Sequence, residues 1–366
     1  MKWSWKMGRV AGIDLRVHAT FVLLLVWLAV VFYNETGTAA GVELGVAFTL
    51  ALFASVIAHE YGHALVARHF GIATRDITLL PIGGVSRLEY IPEHPRQEFW
   101  IAISGPLVTL AIAVVLFGII SAAGLPVEPS GSLFGSAQSG AFLAQLMWVN
   151  VSLFVFNLLP AFPMDGGRVL RAILARRMPY LRASDAAASI GRGFALIFGV
   201  VGLLYDPLLA LVALFVWLGA AGESQALHLK TALAGVTVEH VMVRDVNTIG
   251  SRETLDAALH HVLAGFQHDF PVVDDGRVLG VLTRDALIKA LASAGRESLV
   301  GASMDRQFQV ADPGEAVEKA FARLQQSGTR SAPVVRDGRL YGMLTLDNVG
   351  EFIMAAQALG GPVDKA

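Results

Sequence analysis

The chain has 366 residues, 54% of them hydrophobic and 16% charged, with a mean hydropathy of +0.57. A soluble domain carries roughly 25% charged residues, so much of this surface must face something other than water. The formal net charge of −2 gives no basic footprint for a nucleic acid. The absence of cysteine excludes disulfides and thiolates, so a metal site must use His and carboxylates.

The N-terminus is basic, with Lys2, Lys6, Arg9 and Arg16, and no small-residue cleavage site follows the first apolar run. That run reads as a retained span. A bilayer-spanning helix needs about 20 mostly apolar residues, and the candidates are 17–33, 44–67, 98–122, 141–162, 187–204 and 207–223. Between the spans the charge is uneven. Arg168, Arg171, Arg176, Arg177 and Arg182 follow the fourth, whereas 34–43 offers only Glu35 and Glu43, 123–140 only Glu128, and the turn near 206 only Asp206. Lys and Arg concentrate on the cytoplasmic side. Six spans with both termini cytoplasmic, in a cell membrane, satisfy this at every loop.

The second span contains His59-Glu60-Tyr61-Gly62-His63. Side chains four apart share one helix face about 6 Å apart, so two imidazoles can chelate one zinc, and Glu60 beside them can deprotonate a bound water. The pattern alone is only moderately specific, and two surface histidines at a helix end would also produce it. Context favours the metal: Ala51 to Ala58 precedes and Ala64 to Ala67 follows, which sets Glu60 about 10 Å inside the span at about 1.5 Å per residue. An ionisable group at that depth costs on the order of 2–3 kcal/mol and usually lines a site.

Residues 73–92 mix β-branched residues and charges around Pro81-Ile82-Gly83-Gly84, predicting a short β-hairpin or re-entrant loop on the cytoplasmic side. The third span opens Ser104-Gly105-Pro106-Leu107-Val108-Thr109. The fourth ends Asn157-Leu158-Leu159-Pro160-Ala161-Phe162-Pro163-Met164-Asp165-Gly166-Gly167. Two prolines disrupt that helix and two glycines allow a tight turn. Asp165 is the candidate third zinc ligand, and also a candidate cap for the next helix.

From about residue 235 the composition becomes that of a soluble domain with an internal repeat. Met242 and Met304 are 62 apart, as are Pro271 and Pro333, Gly276 and Gly338, Gly280 and Gly342, Thr283 and Thr345, and Asp285 and Asp347. Each copy reads as helix, short strand, Asp-Gly turn, strand, helix. The division is thus 1–228 for the membrane domain, 236–296 for the first repeat and 297–358 for the second.

These residues carry two resemblances. The repeats resemble a tandem pair of CBS domains, which pack as one pseudo-symmetric module. HExxH in one span with Asn-x-x-Pro-x-x-x-x-Asp-Gly at the end of a later one resembles the site-2 protease family, intramembrane zinc metalloproteases, in its six-span branch with C-terminal CBS domains. The fold class implied is an α-helical polytopic membrane protein, with about six spans and a short hairpin, followed by an α/β tandem CBS module. Carried over by motif position, His59, His63 and Asp165 would hold one Zn2+ per chain and Glu60 would be the general base. Asn157 would hold the scissile peptide or its oxyanion, and Gly83 and Gly84 would lie on a substrate loop near the site. Arg16-Val17-His18 also matches this branch, with His18 read as an interfacial residue.

Two positions depart from the family pattern. Thr109 stands where many relatives carry Asn, implying altered local packing rather than lost activity. The nucleotide-binding CBS form places an Asp three residues after the Thr, where this chain has Ala286 and Asn348. Asp285 and Asp347 come one residue early, which leaves Thr283, Asp285, Thr345 and Asp347 as the candidates for an adenine nucleotide and puts that ligand in doubt. The partners implied are the lipid bilayer, a single-span or membrane-tethered protein substrate such as a pro-sigma factor or other transcription regulator, and a second copy of the chain through the CBS helices. Segment 123–140 is too short for an inserted PDZ domain, which points away from the anti-sigma branch. The alternatives are a CBS-gated channel or transporter, disfavoured because polar residues cluster at the ends of two spans, and an inactive scaffold, disfavoured by the retained Glu60.

Overall fold

The computed structural model describes residues 3–89, 92–128, 139–265 and 267–359. The end of segment 73–92, at residues 90 and 91, and most of the 123–140 connection lie outside the described residues. The chain divides into two compact units, Met1–Gln225 and Ala226–Ala366.

The first unit opens with strands β1 (Ser4–Val10) and β2 (Ile13–His18), followed by helices α1 (Ala19–Thr36) and α2 (Ala39–His69). Strands β3 (Thr74–Leu80) and β4 (Gly83–Leu88) come next, then α3 (Pro95–Ala122), α4 (Ser139–Leu158), the short α5 (Asp165–Leu174), α6 (Tyr180–Tyr205) and α7 (Pro207–Leu233). The boundary after Gln225 falls within α7. Five helices (α1, α2, α3, α6 and α7) are long and apolar enough to cross a bilayer, and Phe142–Leu158 of α4 is a shorter apolar helix. Their large apolar side chains point outward, as Leu23, Trp27, Leu196, Leu203 and Leu211 do, which suits lipid rather than water.

The inner faces hold small residues that let backbones approach. A Cβ on Gly62 of α2 would lie 2.9 Å from the Ser104 carbonyl oxygen of α3, and one on Gly202 of α6 would lie 2.3 Å from the Ala210 nitrogen of α7. The α1–α2 connection is closed locally. Gly37 adopts a left-handed φ of +65° and returns its N–H to the Tyr33 carbonyl at 2.8 Å, and the Thr38 side chain caps α2 by accepting from the Gly41 N–H at 3.1 Å.

Residues 4–18 are more ordered than a basic flank requires. β1 and β2 form an antiparallel hairpin, β2 runs parallel to β3, and β3 pairs antiparallel with β4, giving a four-stranded sheet in the order β1-β2-β3-β4. The expected hairpin at 73–92 is therefore half of a larger sheet. His18 ends β2 and caps α1, its Nδ1 accepting from the Thr20 N–H at 3.3 Å.

The second unit contains α8 (Val238–Val241), α9 (Leu255–Ala264), β5 (Phe270–Asp274), β6 (Arg277–Leu282), α10 (Arg284–Ala294), α11 (Val300–Ser303), α12 (Val317–Ser327), β7 (Ser331–Arg336), β8 (Arg339–Thr345) and α13 (Leu346–Ala358). Its sheet has the order β5-β6-β8-β7. Both hairpins turn on Asp-Gly: Asp275 and Gly276 have φ of +50° and +77°, Asp337 and Gly338 +53° and +77°, the two positive values a tight hairpin turn demands.

The two cores exchange their leading segments. Val238, Val241 and Met242 pack with Val317, Leu324, Val334 and Leu344 of the second repeat, while Val300 joins Leu255, Phe270 and Leu282 of the first, with Met304 packed against them. Backbone pairing follows the same exchange, Val243 bridging to Met343 and Asp305 to Val281.

Candidate active site

Three ligand atoms converge in the first unit. His59 Nε2 lies 3.1 Å from Asp165 Oδ2, His63 Nε2 lies 3.2 Å from the same oxygen, and the two Nε2 atoms are 3.1 Å apart. All three residues are buried, and their ligand atoms form a cluster able to hold a metal ion. Tetrahedral zinc with bonds of about 2.0–2.1 Å keeps its ligands about 3.3 Å apart, so the donor set fits the ion. The orientation of His63 is set from outside the cluster. Its Nδ1 donates to the Ile101 carbonyl at 2.6 Å, leaving Nε2 with a free lone pair facing inward.

Asp165 is the first residue of α5, and Met164 is the cap, without a side-chain cap bond. The carboxylate is therefore directed at the histidines and is not a helix cap. The two glycines after it act differently from the expected turn. They lie inside the first helical turn, where a Cβ on Gly166 would sit 2.2 Å from the Leu159 carbonyl oxygen and one on Gly167 2.6 Å from the Phe162 nitrogen. Close backbone approach, rather than unusual φ, is what requires glycine here.

Glu60, Asn157 and Gly84 line the same cavity as the three ligands, a space of about 400 Å³ that also includes Glu98 and Arg168. Glu60 stands nine residues before the end of α2, about 14 Å at about 1.5 Å per residue. Gly84 passes directly over it, since a Cβ there would lie 2.6 Å from Glu60 Cγ. Its neighbour Gly83 has a φ of +133° at the start of β4. β4 pairs only with β3 among the described residues, so its outer edge is open beside Glu60.

Two features of the site escaped sequence reasoning. A Cβ on Gly105 would lie 2.2 Å from His63 Nε2 and 2.7 Å from His59 Nε2, so α3 presses its backbone against the ligand atoms. The signal was a Gly-Pro pair inside an apolar span. Arg171, counted with the cytoplasmic arginines, is instead 1% exposed and lies between Glu98 and Glu223, with Nη2 2.6 Å from Glu98 Oε1 and Nη1 3.0 Å from Glu223 Oε1. Thr109 is fully buried and donates to the Pro106 carbonyl at 2.8 Å, so it serves the local structure of α3.

In the second unit, Thr283, Asp285, Thr345 and Asp347 line one cleft of about 930 Å³. Both hydroxyls are already engaged as helix caps: Thr283 Oγ1 accepts from the Ala286 N–H at 3.2 Å, and Thr345 Oγ1 from the Asn348 N–H at 3.1 Å. Arg330 reaches Asp347 at 3.4 Å, and Ser331 of the second repeat donates to Asp269 of the first at 2.6 Å.

The chain is similar to known proteins along most of its length. The model of Peptidase family M50 matches residues 47–198, and the CBS domain model matches 238–293 and 299–354. A zinc metalloprotease of Methanocaldococcus jannaschii is 32% identical over 95% of this chain and 96% of its own length. Stage IV sporulation protein FB of Bacillus subtilis is 29% identical over 47% of this chain and 56% of its own. The solved site-2 protease from Methanocaldococcus jannaschii is 38% identical, with a TM-score of 0.44 over 61% of this chain and 95% of that one. The apolar helices and these relatives make the protein a multi-pass membrane protein. This chain therefore belongs to Peptidase family M50, the site-2 protease family of zinc metalloproteases, and carries a tandem CBS pair.

Proposed function

We propose that the protein hydrolyses a peptide bond in or near the transmembrane segment of a membrane-tethered protein, and that its CBS pair modulates access to the site. The observation that carries this reading is the placement of Glu60 and Asn157 in one cavity with the His59, His63 and Asp165 cluster, with His59, Glu60 and His63 on a helix long and apolar enough to cross a bilayer. Zinc held by those three residues would supply Lewis-acid polarisation of the scissile carbonyl and a more acidic water. Glu60 takes the proton of the attacking water and returns it to the leaving amine. The Asn157 amide donates to the peptide or to its developing oxyanion.

A transmembrane helix hides its carbonyls in hydrogen bonds, so the substrate must unwind before cleavage. The open edge of β4 offers a partner for the freed backbone by strand addition, with Gly83 and Gly84 keeping that edge clear above Glu60. The substrate class is a single-span or membrane-tethered regulator such as a pro-sigma factor. The site faces the cytoplasm of the cell membrane with both termini on that side, as the arginines after the fourth span favour. Modulation by the CBS pair is supported by the presence of that module, matched over 238–293 and 299–354, on the same chain. Pairing of two copies through the CBS helices completes the reading.

The test is cleavage of a reconstituted single-span substrate by the full chain, with the cut bond mapped by mass spectrometry. A cut within or next to the span, lost on chelation and restored by zinc, is the expected result. Cleavage confined to soluble substrates would contradict it.

A further inference from the structure

The helix that supplies Asp165 is too short to hold itself in place. α5 has ten residues, below the length at which an isolated helix is stable, so its orientation must come from packing. Arg171 provides the anchor from within that helix. Its Nε donates to Glu98 Oε1 at 2.7 Å on α3, and its Nη1 donates to Glu223 Oε1 at 3.0 Å on α7 and to Ser184 Oγ at 3.4 Å on α6. The guanidinium also faces the Phe162 ring at 5.0 Å and the Tyr180 ring at 5.1 Å. A planar fork with two bridged carboxylates and two flanking rings allows a single arrangement of its helix.

The other end of this network touches the remaining ligands. Glu98 lies on α3 three residues before Ile101, whose carbonyl holds His63 Nδ1 at 2.6 Å, and Glu98 itself lines the active-site cavity. One cation thus links the helix that begins at Asp165 to the helix that orients His63. Buried ion clusters do not raise stability above well-packed apolar residues, whereas breaking one is costly. Stability alone therefore gives no reason for placing this one inside an apolar unit.

We propose that Arg171 is a positioning residue of the metal centre, setting the Asp165 carboxylate against His59 and His63 through its bridge to Glu98 and Glu223. This rests on the zinc site described above. The role is exerted through helix placement, since among the described residues Arg171 bonds Glu98, Glu223 and Ser184 and not His59, His63 or Asp165.

The test uses full-length protein in detergent or nanodiscs, with three variants: Arg171→Gln, Arg171→Lys and Glu223→Gln. Zinc affinity is measured by chelator competition, and the melting temperature is taken with and without zinc. Arg171→Lys, which keeps the buried charge, is expected to melt near wild type when metal-free, and Glu223→Gln, which leaves Arg171 paired with Glu98, below it. They should lose zinc affinity on the order of 10-fold, the loss typical of outer partners of metal ligands, and the zinc-dependent rise in melting temperature should shrink with it. The Co2+ absorption spectrum should shift in the same two variants. If Arg171→Gln fails to fold, those two still decide the matter. A lower metal-free melting temperature with unchanged zinc affinity and spectrum would assign Arg171 a purely structural role and overturn the proposal. Failure of the wild type to hold one zinc per chain would overturn the metal site itself, and the proposal with it.

Discussion

At the residue scale the metal centre depends on what is missing as much as on what is present. His59, His63 and Asp165 supply the donor atoms, but Gly105 supplies the space, because a Cβ there would stand 2.2 Å from His63 Nε2. Gly105→Ala is therefore expected to keep the helices intact and lose bound zinc by at least about 10-fold, read as zinc content after dialysis against a weak chelator. Zinc content equal to wild type would show that the histidines can step aside. His59, Glu60 and His63 were readable in sequence because each is chemically costly in an apolar helix, and Asp165 because of the proline- and glycine-flanked stretch that follows the fourth span. Gly105 was not, since a glycine in a span reads equally well as ordinary helix packing. Arg171 misled for the opposite reason: an arginine near a loop rich in arginines reads as topology, and only the fold brings Glu98 and Glu223 to it.

Outside the membrane unit, a single ion pair gives a pH prediction. Arg323 bonds Glu315 with both oxygens, Nη1 to Oε1 at 2.6 Å and Nη2 to Oε2 at 2.9 Å. That hydrogen-bonded pairing holds the Glu315 carboxyl below its ordinary value of 4.5. Its folded pKa is depressed, so the pair's contribution is present above the unfolded pKa and is lost as pH falls through the folded one. Partial exposure limits this to about 0.5–1 kcal/mol. The melting temperature of Arg323→Ala should fall below wild type at pH 7, and the gap should narrow below about pH 4.5. A gap that is constant with pH would place the loss in packing.

At the scale of elements, β4 and the exchanged repeat cores carry the predictions. The open edge of β4 lies beside Glu60, so proline at Val85 or Ser86 should lower turnover of a transmembrane substrate at least several-fold wherever it removes an outward N–H. Zinc content should be unchanged. Turnover unaffected by both prolines would contradict strand addition. The hairpin over 73–92 was readable from its Pro-Ile-Gly-Gly turn. Its neighbours β1 and β2 were not, because β2 reaches β3 across about sixty residues of sequence and both strands carry the charges that mark a membrane flank. The repeats show a similar limit. Their 62-residue period located them, but the period says nothing about which core each leading segment joins. Because Val300 and Met304 complete the first core, residues 236–296 expressed alone should show no cooperative melting, whereas 226–359 should melt as one transition. A cooperative transition in the shorter piece would contradict the exchange.

At the scale of the whole molecule, an apolar unit with a buried metal centre and a water-exposed repeat module share one polypeptide, and α7 runs through the boundary between them. The apolar class, the site and the repeats were all legible in composition, motif and period. Helix ends were not. α6 begins at Tyr180 and α7 continues to Leu233, because hydropathy fades at the water interface while the helical backbone carries on past it. The measurement that tests the central claim most directly separates metal binding from proton transfer in the same preparation. Zinc content and cleavage of a single-span substrate are measured together for wild type, Glu60→Gln and His59→Ala. One zinc per chain with no cleavage in Glu60→Gln, and loss of both in His59→Ala, is the predicted outcome. Full cleavage by Glu60→Gln would contradict the account.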